Sequence, residues 1–380
     1  MVRWTPRLFG FSFVAAPPHG RERFLLYLIV FIILLTSPSC GQGPASAMGA
    51  RNENSSSVRI ARSPQEELHL GNAYLKGSGV TKDPARAAIW YRKAADAGDP
   101  AAQNNLGYLY LTGTGIDRDE EQAAKWFARA IAGGSEQAKF NLALIYLKGP
   151  DRLRDTSLGI DLLNQLARKH NARAEDSLGV LYLTGNGVRQ DLTAAEQWFS
   201  RSAKHGDPHG QYVMGAFNSV QPGHERNLPK ALKFLRRSAH GGFTRAMFLL
   251  GFLIVQHPET SQKDPNEAVV MLTRAAEAGE WEASAMLGVL AREGRGMKPD
   301  PAKAFRWFLI ESRQGGPEAE QNVRQDLASC RQALSSDQQD QELRAADEWL
   351  AQHGDRTVYV FRDGLVIPRR AVYLVEAGPQ

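Results

Sequence analysis

The chain repeats a short pattern every 36 residues, and this period restricts its fold more than any other feature. The segment Leu70–Val80 returns with the same glycines at Leu106–Ile116 and again at Leu178–Val188. A fixed period of this length is typical of proteins in which each unit stacks on its neighbours. It also favours a binding function over catalysis, because stacked repeats offer a long surface rather than one closed pocket.

The charge of the chain is unevenly placed. The formal net charge is +5, and residues 1–47 hold four arginines and one glutamate, which account for +3 of it. The remaining residues intersperse charges of both signs without a basic run or stripe. We therefore expect no nucleic-acid partner.

The first 47 residues have the pattern of an export signal. Two arginines precede an unbroken apolar run, Phe24–Leu35, and a small-residue motif that ends at Ala47 fits a cleavage site. The run is shorter than the roughly 20 residues that span a bilayer. A cleaved exported form, a retained N-terminal membrane tether and a lipoprotein attached through Cys40 are the three alternatives. Each places the protein in the periplasm or cell envelope, and residues 48–63 are predicted to form a flexible linker.

Three columns of residue types recur when the repeats are aligned. The first is glycine in every unit except the third, where Ala143 stands: Gly71, Gly107, Gly179, Gly215, Gly251 and Gly288. The second is large and mostly aromatic: Trp90, Trp126, Leu162, Trp198, Phe234, Val270 or Met271, and Trp307. The third is aspartate or asparagine: Asp83, Asp119, Asp155, Asp191, Asn227, Asp264 and Asp300.

The columns predict two helices in each unit. Glycine inside a helix costs about 1 kcal/mol relative to alanine, so its recurrence indicates that a partner helix approaches closely. The glycines of the Gly113-Thr114-Gly115 turn can end the first helix in the left-handed conformation. Asp119 then stands where the second helix needs an N-cap. We interpret the tryptophans as core residues, and truncating one to alanine should cost about 3–5 kcal/mol.

The combined pattern, A-x-x-x-L-G-x-x-Y-x-x-G-x-G-V-x-x-D-x-x-x-A-x-x-W, resembles the Sel-one-like repeat, a relative of the tetratricopeptide repeat. Residues 64–316 hold seven such units, and the pattern is strongest in units one, two, four and seven. The resemblance implies an all-α fold, a right-handed α-solenoid of helix-turn-helix repeats. It also implies an adaptor function, which in this family often serves bacterial envelopes or quality control in the endoplasmic reticulum.

The residues after the seventh unit are predicted to close the fold. Residues 317–354 read as two capping helices, which would cover the open apolar face of the last repeat. The first helix of this pair is expected at 318–334 and the second at 337–352, with Ser336 or Asp337 as its cap. Residues 355–380 form a short β-like tail, in which Asp363-Gly364 between apolar runs predicts a hairpin.

The expected binding residues follow from analogy with the tetratricopeptide fold. In that fold the positions three before and one after the glycine line the concave face. Large side chains at these positions are expected to bind a protein or peptide partner: Tyr108, Phe140, Leu144, Tyr212, Phe248 and Phe252. The alternative is that these side chains are buried against the neighbouring unit.

The sequence lacks the common catalytic motifs. It contains no G-x-x-x-x-G-K-[ST], G-x-S-x-G or H-E-x-x-H, and His205 and His209 flank a Gly-Asp-Pro turn rather than sharing a helix. We therefore predict a non-enzymatic scaffold without a cofactor or a bound metal. The alternatives are a secreted effector, an adaptor of a secretory pathway and, less favoured, an exported hydrolase. Relatives labelled as hydrolases carry paired cysteines in their repeats, and this chain does not.

Overall fold

The computed structural model describes residues 63–220, 227–261 and 266–353, together with the backbone of 359–362 and 365–368. The predicted export signal and nearly all of the predicted linker lie outside these residues. Within them the chain forms sixteen α-helices, and the all-helical character predicted for the repeats is confirmed. No helix in the described ranges is both long and apolar enough to cross a membrane.

The described chain divides into two compact units, whose boundary in the sequence falls between Trp198 and Phe199. The N-terminal unit contains α1 (Pro64–Lys76), α2 (Pro84–Asp96), α3 (Pro100–Thr112), α4 (Glu120–Ala132), α5 (Glu136–Lys148), α6 (Thr156–Arg168), α7 (Ala172–Thr184) and the first part of α8 (Leu192–Lys204). Within this unit α1 packs on α2, α3 on α4 and α5 on α6, and successive pairs also contact each other.

The C-terminal unit continues the same alternation of helices. It contains the end of α8, then α9 (Pro208–Val220), α10 (Leu228–His240), α11 (Thr244–Gln256), a 3-10 turn (Pro258–Ser261), α12 (Glu267–Glu277), α13 (Trp281–Glu293), α14 (Pro301–Gln314), α15 (Gly316–Gln332) and α16 (Ser336–His353). Within this unit α9 packs on α10, α11 on α12 and α13 on α14, and α15 packs closely on α14.

The repeated glycine brings the two helices of a repeat together. A Cβ atom at Gly107 would lie 2.8 Å from the ring of Phe127, and one at Gly215 would lie 2.6 Å from the side chain of Leu235. The residues that face the glycines belong to a column one position after the tryptophans. This column is large and fully buried in every repeat: Tyr91, Phe127, Leu163, Phe199, Leu235, Leu272 and Phe308.

The tryptophan column is less central than the sequence suggested. Trp126 and Trp307 are buried, whereas Trp90 and Trp198 are only half-buried. Neighbouring residues on a helix point about 100° apart, so a tryptophan cannot share the inner position with the residue that follows it. The Trp90 ring instead carries the Lys93 ammonium 4.2 Å from its centroid. Trp90 and Trp198 nevertheless pack against the buried hydrophobic clusters, so the tryptophan column belongs to the packing, with two of its members at the edge.

In repeat three, the small residues that face each other across the two helices stand on opposite helices from those of the other repeats. Elsewhere a glycine on the first helix faces an alanine on the second, as Gly107 faces the backbone oxygen of Ala123, 3.2 Å from where a Cβ would lie. In repeat three the first helix carries Ala143 and the second carries Gly159. A Cβ at Gly159 would lie 3.1 Å from the backbone oxygen of Ala143. The missing glycine of repeat three is thus present on the opposite helix.

The predicted turns and caps are present where the structure describes them. Gly113 ends α3 with a φ of 70°, in the left-handed region. Asp119 accepts hydrogen bonds from the backbone N–H groups of Glu121 and Gln122 at the start of α4. The same capping bond is made throughout the described part of the third column: Asp83, Asp119, Asp155, Asp191, Asn227 and Asp300. Asp264 lies outside the described residues.

Two helices follow the last repeat, close to the predicted positions. The cap of α16 is Ser335 rather than Ser336 or Asp337, because its hydroxyl accepts from the Gln338 N–H while the Gln338 side chain accepts from the Ser335 N–H. Trp349 on α16 meets Trp307 edge to face, with ring centroids 5.6 Å apart.

Two short strands lie within the predicted β-like tail. They are β1 (Tyr359–Arg362) and β2 (Leu365–Pro368), which pair antiparallel with Arg362 opposite Leu365. Asp363 and Gly364, between them, lie outside the described residues, as does the rest of 355–380. The structure of the tail as a whole therefore stays a prediction.

Candidate partner-binding surface

Three of the predicted binding residues lie on the first helices of repeats two and three. Tyr108 on α3 and Phe140 on α5 are only 7% and 8% exposed, whereas Leu144 on α5 is half-buried. The guanidinium of Arg173 covers the Phe140 ring, 5.1 Å from its centroid. Tyr108 and Phe140 are therefore buried against neighbouring side chains, which is the alternative to an open binding position. Leu144 keeps accessible surface.

Buried amide side chains connect repeats two and three beside these residues. Asn141 on α5 donates to the Asn104 side chain on α3 across 3.0 Å, and Asn104 donates to Asn105 across 3.3 Å. Gln137 in turn donates to Asn141 across 3.2 Å. Asn104 occupies the position three before Gly107, which the sequence analysis assigned to the concave face. The hydrogen-bond network around it was not predicted. The amides join the two repeats rather than forming an open site.

The remaining predicted residues lie in the C-terminal unit and differ from one another in burial. Tyr212 on α9 is 2% exposed and packs against the Phe243 ring, with centroids 5.1 Å apart, so it too departs from the expected open position. Phe248 and Phe252 on α11 are half-buried, and their ring centroids lie 6.4 Å apart. We refer to Phe248 and Phe252 as the aromatic pair.

Charged side chains lie on the same helix as the aromatic pair. Arg245 precedes Phe248 by three residues, hence by nearly one turn of α11. Its Nε lies 3.0 Å from the Glu280 carboxylate, and its Nη1 lies 3.5 Å from that of Glu282. Burial raises the pKa of Glu280 to about 8 despite Arg245, and the nearby Glu282 contributes to the increase. The sequence analysis did not identify these acidic residues.

The N-cap position of α13 explains why Glu280 is available for this contact. Aspartate, serine or asparagine caps the first helix of several other repeats, as Asp99 does for α3. Glu280 occupies the corresponding position but makes no capping hydrogen bond. Its carboxylate is directed to Arg245 instead. The substitution of glutamate for a capping residue is the sequence signal that could have revealed the cluster.

Burial controls the protonation of two further side chains, Cys330 and Tyr91. Cys330 on α15 is buried, and burial raises the pKa of its thiol, which disfavours the nucleophilic thiolate. Burial also raises the pKa of the Tyr91 hydroxyl well above its ordinary value, and this hydroxyl donates to the Asn72 side chain across 2.7 Å. Both groups are held in their protonated forms within the packing.

Comparison with known proteins gives a family and a set of similar structures. The Sel1 repeat profile matches seven consecutive segments: 67–99, 100–135, 136–171, 172–207, 208–243, 244–280 and 281–315. No curated protein matches the chain.

Among solved structures, a Sel1 repeat protein from Oxalobacter formigenes is 27% identical over 69% of this chain and 75% of its own, with a TM-score of 0.54. The chain is also similar to c5321, described as a protective antigen of uropathogenic Escherichia coli strains with an SLR fold. That protein is 22% identical over 83% of this chain and 74% of its own, with a TM-score of 0.44.

Proposed function

The chain belongs to the Sel1 repeat family, and from this premise we propose that it is a non-catalytic scaffold of the bacterial cell envelope that binds a peptide or protein partner. The matched segments agree with the seven units expected in residues 64–316, so the recognition of the family is confirmed. Sel1 repeats generally mediate interactions between proteins. The envelope location is supported by the export-signal pattern of residues 1–47.

The observation that carries this proposal is the accessible aromatic pair. Phe248 and Phe252 stand on one face of α11, since residues four apart share a face, and both keep part of their ring surface in contact with solvent. Aromatic side chains with accessible faces supply much of the energy of protein interfaces. Tyr108, Phe140 and Tyr212 are buried, so the accessible members of the predicted set are Leu144 on α5 and the aromatic pair on α11.

We expect Phe248→Ala and Phe252→Ala each to weaken partner capture. Loss of an aromatic anchor at an interface commonly costs about 2 kcal/mol or more, which is roughly a thirtyfold change in affinity. The measurement is crosslinking to the full chain in envelope extracts, followed by quantification of each captured protein against the wild type. Circular dichroism would verify that each variant is folded.

Phe234→Ala is the matched control, because Phe234 is also half-buried in the C-terminal unit but lies on α10. It should leave capture unchanged. If both α11 variants captured the partner as well as the wild type does, the assignment of the aromatic pair to the binding surface would be refuted. Cell fractionation tests the location separately: recovery in the medium rather than the envelope would favour a secreted effector with the same binding surface.

A further inference from the structure

Glu311 occupies a position that the other repeats fill with small or apolar core residues. The position lies three residues after the buried column of the second helix. In the described structure it is buried in every repeat: Ala94, Ala130, Leu166, Ser202, Ser238, Ala275 and Glu311. Glu311 itself is only 2% exposed. Packing does not require a carboxyl group here, since alanine suffices in three repeats, so the carboxyl group calls for another explanation.

The surroundings of Glu311 leave its carboxyl group without a cation. Its Oε2 has no hydrogen-bond partner among the described residues. The charged groups that act on it are Glu282 and Asp326, and both are acidic. The nearby arginines are already engaged in ion pairs, Arg245 with Glu280 and Glu282, and Arg292 with Asp326. Glu280, Glu282 and Glu311 thus supply three carboxyl groups against the single guanidinium of Arg245, and we refer to these three glutamates as the acidic cluster.

Other buried polar atoms on α13 and α14 also lack partners. On α14, Trp307, Glu311 and Gln314 lie at a spacing of four and three residues, which places them on one face of the helix. The Trp307 indole nitrogen and both polar atoms of the Gln314 side chain are buried without a hydrogen bond. On α13, the Ser284 hydroxyl is fully buried and also unpartnered. Unpartnered buried polar atoms are rare in folded proteins, so these atoms call for partners that the described residues do not supply.

The ends of α13 and α14 that carry Glu282 and Gln314 pack against each other. A Cβ atom at Gly315, directly after Gln314, would lie 2.9 Å from the ring of Trp281. Trp281 stands between Glu280 and Glu282 in the sequence, so the beginning of α13 lies against the end of α14. Glu282 is partly exposed and Gln314 is half-buried, whereas Glu280 and Glu311 are buried. Solvent therefore reaches Glu282 and Gln314, whereas Glu280 and Glu311 lie beneath the surface.

We propose that the acidic cluster is a subsite for one cationic side chain, a lysine or arginine of the bound partner. The proposal rests on the proposed function, because it assigns the cation to a partner peptide. A basic group that replaces the proton of Glu311 forms a charge-assisted pair with the resulting carboxylate, while Arg245 stays paired with Glu280 and Glu282. A lysine or arginine side chain only donates hydrogen bonds, so the Trp307 N–H and the Gln314 amide N–H require acceptors. The carbonyl groups of a peptide backbone around the basic residue supply them.

Occupation of the subsite should be accompanied by proton release. Burial, Glu282 and Asp326 together raise the pKa of Glu311 to about 9, so its carboxyl group is protonated at neutral pH while the subsite is empty. A cation beside it favours the ionised form. Binding therefore transfers a proton from Glu311 to the buffer, and calorimetry in buffers of different ionisation enthalpy measures that proton directly.

The test uses the purified full chain and acetyl-arginine amide as the probe, with acetyl-citrulline amide as its uncharged isostere. We expect the arginine probe to bind with proton release, and the citrulline probe to bind at least about tenfold more weakly. Glu311→Ala should remove the binding and the proton release. This variant should fold, because alanine stands at the same position in repeats one, two and six. Glu293→Gln, an exposed change on α13, is the matched control and should bind as the wild type does.

Other outcomes overturn either this proposal or the function on which it rests. Equal binding of the two probes, or arginine binding that survives Glu311→Ala, would show that the cluster does not recognise a cation. Tighter binding of free arginine than of the amide would identify a free amino acid rather than a peptide side chain. If capture depended on the aromatic pair but the arginine probe did not bind, the cation subsite would be refuted and the scaffold function would stand. Probe binding without an effect of the aromatic pair on capture would instead refute only the α11 surface.

Discussion

At the scale of single residues, the closeness of two helices is controlled by one methyl group per repeat. Gly107 faces Ala123 in repeat two, and Ala143 faces Gly159 in repeat three. In both cases one of the two facing positions carries a Cβ and the other does not. The pair, rather than either residue alone, therefore determines how closely the helices of a repeat pack.

We expect Gly107→Ala to destabilise the protein by about 1–2 kcal/mol. The added Cβ would enter the space of the Phe127 ring, and overpacking a core costs about 1–3 kcal/mol, from which the better helix propensity of alanine recovers less than about 1 kcal/mol. Adding Ala123→Gly should restore part of the loss, because it recreates the arrangement of repeat three, in which Ala143 on the first helix faces Gly159 on the second. Urea unfolding of the two single variants and the double variant measures this coupling. Strictly additive changes would contradict the paired arrangement.

The stability of the C-terminal unit should decrease as the pH rises above the ordinary pKa of a glutamate. Burial, together with Glu282 and Asp326, raises the pKa of Glu311 to about 9 in the folded protein, from 4.5 for an unperturbed glutamate. Between these values the folded state holds a proton that the unfolded state releases, so each pH unit disfavours folding by up to about 1.4 kcal/mol. Glu280, whose pKa is raised to about 8, acts in the same direction.

Glu311→Ala should raise the melting temperature at pH 8 and reduce its dependence on pH. The variant removes a buried carboxyl group whose ionisation the folded protein disfavours. Thermal unfolding between pH 5 and pH 9 measures both effects, with Glu293→Gln as the control that should keep the wild-type slope. A wild-type melting temperature that is flat or rises across this range would contradict the interpretation.

At the scale of helices, the closing pair α15 and α16 protects the last repeat through a few specific contacts. Trp349 on α16 meets the buried Trp307 edge to face. Arg306 on α14 pairs with Glu342 on α16, and Glu342 is itself mostly buried. The end of a stack of repeats exposes an apolar face unless something covers it. These contacts show which side chains attach the cover.

We expect Trp349→Ala to destabilise the last repeat by about 1–3 kcal/mol, because it removes an aromatic contact and uncovers part of Trp307. Trp349→Phe keeps an aromatic ring and should lose much less. Hydrogen exchange of the α14 amides is the informative measurement, since local loss of the cover should accelerate exchange there more than in α3. Unchanged α14 exchange in Trp349→Ala would mean that α16 is not the cover.

At the scale of the whole molecule, the sequence predicted what depends on local chemistry and the period. The seven repeats, the left-handed glycines and the Asp caps follow from residue types at fixed spacing, and these were recognised. Burial of Tyr108, Phe140 and Tyr212 depends on how each helix meets its neighbours, which spacing alone does not reveal. The role of Glu311 does not follow from the glycine and tryptophan columns of the repeat, because Glu311 belongs to neither. Its column becomes informative only once the structure shows that it is buried.

The exchanged glycine of repeat three also limits how such a chain can be rearranged at the level of its gene. A crossover in the turn between the two helices would join the first helix of repeat two to the second helix of repeat three, and Gly107 would then face Gly159. The reciprocal product would set Ala143 against Ala123, with a methyl group on both sides. One product carries a gap and the other a clash, whereas exchange of entire repeats keeps both pairs matched. The unit that can be shuffled is therefore the helical pair, and the boundary between repeats is where shuffling is tolerated.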